Sequence, residues 1–80
     1  MRTFLLMALS AGKEDETLER LREHFHVVES HRLYGTYDAI AIVEVNDINE
    51  LSETINGLLN DGSGILYVET LMERGEGDGS

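Results

Sequence analysis

Eighty residues make one small domain, near the lower limit for a chain that folds without staples. The absence of cysteine excludes disulfides, thiolate metal sites and a cysteine nucleophile. Sixteen acidic residues against six basic ones leave a net charge of −10, which argues against binding a phosphate backbone.

The first element predicted is a strand over residues 3–9, "TFLLMAL", a run too short to span a bilayer and followed at once by charge. A secretory signal core is the competing reading, but cleavage at "ALSAG" would remove a strand the sheet needs. The expected location is therefore the cytoplasm. A helix follows in "AGKEDETLERLREHF", with Leu18, Leu21 and Phe25 at helical spacing and Glu14, Asp15 and Glu16 in the first turn, where carboxylates favour the helix dipole. Residues 26–34 alternate imperfectly, as an edge strand does. Residues 38–45 form a strand with Ile40 and Ile42 on one face and Ala39, Ala41, Val43 and Val45 on the other.

Asp47 and Glu50 make an acidic capping box for a second helix, along which Ile48, Leu51, Ile55, Leu58 and Leu59 form one stripe. "NDG" at 60–62 closes it with a left-handed cap. The last strand spans residues 64–72, with Leu66 and Val68 opposite Ile65 and Leu71. Residues 1–73 thus form the domain, and 74–80, "RGEGDGS", a disordered acidic tail.

The order β-α-β-β-α-β with right-handed crossovers gives the ferredoxin-like α+β fold, a four-stranded antiparallel sheet with two helices on one face and the first and third strands central. Those strands are apolar on both faces: Phe4, Leu6 and Ala8 against Leu5, Met7 and Leu9 in the first alone. Leaving such side chains in water forfeits about 1.5–3 kcal/mol each. A second copy packed sheet to sheet is the simplest cover. Five of the six basic residues are arginine, and an acidic, lysine-poor surface suits a high-salt interior; an ordinary acidic protein is the alternative.

The hairpin "YGTYD" carries two open readings. In one, Gly35 makes the turn, Tyr34 and Tyr37 pack on the sheet end, and Asp38 caps a turn amide. In the other, Gly35 admits a ligand to the backbone, an aromatic ring walls the pocket, and Asp38 receives an ammonium group. His24, His26 and His31 read as polar junction and strand residues, since a zinc site without cysteine needs better convergence; no metal or cofactor is expected. No serine stands in a nucleophile elbow, and no phosphate-binding loop is present.

From about Phe4 to Met72 the chain resembles the effector-binding (RAM) domain of the Lrp/AsnC family of regulators. The resemblance rests on Gly12-Lys13-Glu14, Val27-Val28-Glu29, Gly35-x-Tyr37-Asp38, Asp47-x-x-Glu50-Leu51 and Glu69-Thr70-Leu71, in that order. It implies dimers of the α+β-barrel type, paired through their sheets and often assembled further. It also implies a small effector, commonly an amino acid, bound at contacts between dimers beside the hairpin. Carried over by position, Gly35, Tyr37 and Asp38 would line that site, with Thr70 from the last strand. Full-length members place a helix-turn-helix before this domain, so the chain looks like a stand-alone form that does not bind DNA itself. Its expected role is ligand sensing in transcriptional or metabolic regulation, alone or co-assembled with full-length relatives. The alternatives are a cofactor-free α+β-barrel enzyme using His31, Tyr34 or Asp38, and a purely structural oligomerisation partner.

Overall fold

A computed structural model describes residues 1–60 and 64–72. The elements follow in the order β1 (Arg2–Leu9), α1 (Glu14–Glu23), β2 (Val27–Arg32), β3 (Ala39–Glu44), α2 (Ile48–Asn60) and β4 (Ile65–Met72). They build one antiparallel sheet ordered β2-β3-β1-β4, so the two most apolar strands are central, as the sequence predicts. Residues 61–63, which include most of the expected helix cap, and the expected tail at 74–80 lie outside the described residues.

Alternation assigns the faces of the sheet. Leu5, Met7 and Leu9 of β1 and Ala39, Ala41 and Val43 of β3 are buried, together with Val45, in one cluster with Leu18 and Leu21 of α1 and Leu51 and Leu58 of α2. Both helices therefore cover this face. Phe4 and Leu6 point the other way, opposite Ile42 and Ile40 of β3, onto a face that no helix reaches.

Three expectations fail, each for a physical reason. Phe25 lies beyond the end of α1 and is 89% exposed, so the helix stripe stops at Leu21. In α2 the buried residues are Leu51, Thr54 and Leu58, while Ile48 and Leu59 are exposed. Thr54 tolerates burial because its hydroxyl donates to the Glu50 carbonyl at 2.8 Å. In β4 a register shift opposite Ala8 and Leu9 turns the strand, so Ile65 and Val68 both pack on the core and Leu66 is left exposed.

The capping box of α2 forms with one displacement. The Glu50 amide donates to Asp47 Oδ1 at 2.8 Å, and Glu50 Oε1 accepts from the Asn46 amide at 2.6 Å, one residue before the expected partner. Replacing Asp47 by Ala is expected to cost about 1 kcal/mol, read as a fall in melting temperature of roughly 4–8 °C. At the entry to β4, Gly64 has φ +87°, and a Cβ there would press within 3.1 Å of the Lys13 side chain and 3.3 Å of Thr17 Oγ1. Glycine lets the entry to β4 lie close against Lys13 and Thr17.

Candidate functional site

The β2–β3 hairpin sits at the C-terminal end of β1. Gly35 has φ +148°, a conformation other residues rarely adopt, and no atom lies within 4 Å of where its Cβ would stand. The outer side of the turn is open. Asp38 is tied at three points: its amide donates to the Met7 carbonyl at 2.8 Å, its carbonyl accepts from the Leu33 amide at 2.8 Å, and its Oδ2 accepts from the Leu9 amide at 2.8 Å. The carboxylate thus serves a strand amide at the β1–β4 irregularity, where the register shift begins.

Tyr37 crosses β1 on the helix-free face. Its hydroxyl donates to Glu69 Oε1 of β4. Glu69 stands opposite Leu6 in the register, which fixes the face. This bond to a carboxylate, helped by desolvation and the neighbouring negative charge, raises the Tyr37 pKa above its ordinary value of 10.0. The folded protein therefore holds this proton more tightly than the unfolded chain. The stability it supplies is complete below pH 10 and disappears as pH rises through the raised value. In a spectrophotometric titration one tyrosine is expected to ionise above the ordinary range, and Tyr37→Phe should remove that step.

Thr70 is not brought to this group. It pairs with Leu5 and so lies on the helix-bearing side of the sheet, exposed at the β4 edge. Glu69, its neighbour, is the β4 residue the hairpin touches, and nothing in the local sequence marks that contact. Tyr34 does not pack on the sheet end: it is 87% exposed, with the Arg32 guanidinium 5.3 Å from its ring centre. His31 is exposed on β2 beside Glu29, at 3.1 Å. His31, Tyr34 and Asp38 do not line the cleft of about 360 Å³ found among the described residues, which lies at the far end of the sheet. Among the described residues no group of three or more His, Asp or Glu side chains converges to hold a metal, and no helix is long and apolar enough to cross a membrane.

The family model described as the Lrp/AsnC ligand binding domain matches residues 3–73. The crystal structure of FFRP-DM1 is 33% identical, with a TM-score of 0.81, covering 88% of this chain and 93% of that one. The structure of hypothetical protein PHS023 from Pyrococcus horikoshii is 32% identical, with a TM-score of 0.84, covering 95% and 92%. At 18% identity and a TM-score of 0.75, the transcriptional regulator NMB0573 from Neisseria meningitidis, solved as an L-Met complex, shares the fold over 88% of this chain and 47% of its own. No curated protein matches.

Proposed function

The chain belongs to the Lrp/AsnC ligand-binding domain family, and we propose that it is an oligomeric effector-sensing module of that family, acting in the cytoplasm. The effector is a small molecule, most simply an amino acid, held where subunits meet beside the hairpin. Gly35 gives it access to the backbone, Asp38 receives its α-amino group, and Tyr37 walls the site. Thr70 reaches the effector from a neighbouring subunit, since within one chain it lies on the other side of the sheet. The L-Met complex of the Neisseria regulator supports an amino acid as the ligand class.

The observation that carries this reading is the open hairpin beside an uncovered apolar sheet face. Phe4, Leu6 and Ile40 are only partly buried there, and Leu71 is 46% exposed. A second copy laid sheet to sheet covers all four. The effector then acts through assembly, by preferring one oligomeric state over another. The same surface suits co-assembly with full-length Lrp/AsnC regulators, which carry the DNA-binding part. A net charge of −10 with a single lysine suits a high-salt interior, where screening limits repulsion between copies.

Titrating the twenty amino acids while following melting temperature and sedimentation tests the reading. At a hundredfold excess over its dissociation constant, the effector adds about 2.7 kcal/mol, a rise in melting temperature of roughly ten degrees or more. A flat response to all twenty would exclude amino-acid sensing.

A further inference from the structure

At the end of the sheet away from the hairpin, about 20 Å along β1 at ~3.3 Å per residue, the β1 start, the α1–β2 junction, the β3 end and the α2 N-terminus border the open cleft of about 360 Å³. Phe25, Val28 and Val45 supply its apolar wall, and His26, Glu44 and Glu50 its polar groups. No lysine or arginine lines it.

Two of these side chains stand where folding alone does not require them. Phe25 is 89% exposed and packs edge-to-face with the His26 ring, 4.8 Å between centres. Val28 is 55% exposed because the β2 register shift turns it outward. The polar groups, by contrast, are held. Glu50 is fixed by the α2 cap through Oε1, which leaves Oε2 directed at His26 Nε2 at 3.5 Å, longer than a full hydrogen bond. The His26 amide donates to His24 Nδ1 at 3.1 Å, and its carbonyl accepts from the Glu44 amide at 3.0 Å, so the backbone of the α1–β2 junction is tied to the β3 end. The Met1 ammonium donates to the Val45 carbonyl at 2.5 Å and keeps its charge at the edge of the cleft.

We infer that this cleft is a second small-molecule site, distinct from the hairpin, that takes a small organic cation: an ammonium group on a short apolar body. The carboxylates of Glu44 and Glu50 supply the charge. The exposed Phe25 ring offers a π-face to the cation, and Val28 and Val45 receive the alkyl part. An anion would meet two carboxylates, and the Met1 ammonium that could offset them is already hydrogen-bonded to Val45. A neutral apolar molecule would leave both carboxylates beside it with reduced solvation.

The test uses the full chain and three isosteric probes, n-butylammonium, n-butanol and butyrate, followed by chemical-shift mapping. Butylammonium is expected to shift Phe25, His26, Val28 and Glu50 together, with butanol and butyrate at least about tenfold weaker. Phe25→Ala and Glu44→Gln should each weaken butylammonium about tenfold while leaving the sedimenting mass unchanged. Neither residue belongs to the buried core or to a helix cap, so both variants are expected to fold. Butanol binding as tightly as butylammonium, or shifts scattered over the acidic surface, would overturn the inference. So would a change in sedimenting mass in Phe25→Ala, since the cleft would then belong to a contact between copies.

Discussion

Leu6→Lys is expected to convert the assembly to folded single chains. Leu6 stands in the middle of the helix-free face, between Ile40 of β3 and Glu69 of β4. By the symmetry of a sheet-to-sheet pair the change occurs twice, and because Leu6 is already partly buried within one chain each copy loses about 1 kcal/mol of further apolar burial. The total of about 2 kcal/mol corresponds to between one and two orders of magnitude in the dimer constant, and the cost of burying two ammonium groups adds to it. Within one chain the new lysine lies beside Glu69 and away from the buried cluster, so circular dichroism and cooperative melting should survive. Sedimentation unchanged from the parent would mean that this face is not the contact.

The second large effect is at Asp38, and it separates the two readings of the hairpin. Asp38→Ala leaves the Leu9 amide without its acceptor, at an expected cost of about 1–3 kcal/mol. For a chain of this size, that lowers the melting temperature by roughly 5–20 °C. Asp38→Asn keeps an oxygen for the Leu9 amide and gives up the charge, so most of the stability should remain. If Asp38 receives an α-amino group, this variant should bind the effector at least about tenfold more weakly at nearly unchanged melting temperature. Effector binding that survives Asp38→Asn would assign Asp38 to structure alone.

The fold was legible because its determinants are local. Two-residue alternation in β1 and β3 states which side chains face the helices. The Asp47–Glu50 pair marks the start of α2, and the apolar character of β1 and β3 places them centrally. What escaped depended on contacts remote in the chain. Helical spacing puts Phe25 on the α1 stripe, but the helix ends at Glu23 and the next residues turn toward β2. Nothing in "ILYVETLM" announces the register shift that brings Ile65 and Val68 to the same side.

The site was half legible for the same reason. Turn chemistry points to Gly35, and its positive φ agrees. Turn chemistry leaves Asp38 either capping an amide or receiving an ammonium group, and the amide it does accept from is that of Leu9, 29 residues earlier, instead of one in its own turn. The Tyr37–Glu69 bond joins residues 32 apart through the strand order, which alternation does not encode in pairs. Thr70, carried over from the family pattern, shares a strand with Glu69 but projects to the other side, because neighbours on a strand face opposite ways.

One proposition supports the assembly, the intersubunit effector site and the Leu6 prediction together: the helix-free side of the sheet is closed by another copy. Sedimentation equilibrium of the unmodified chain at micromolar concentration in high salt measures this directly. The expected mass is a multiple of 9.0 kDa, two chains at least. A cooperatively folded species of 9.0 kDa, constant across the concentration range, would contradict it.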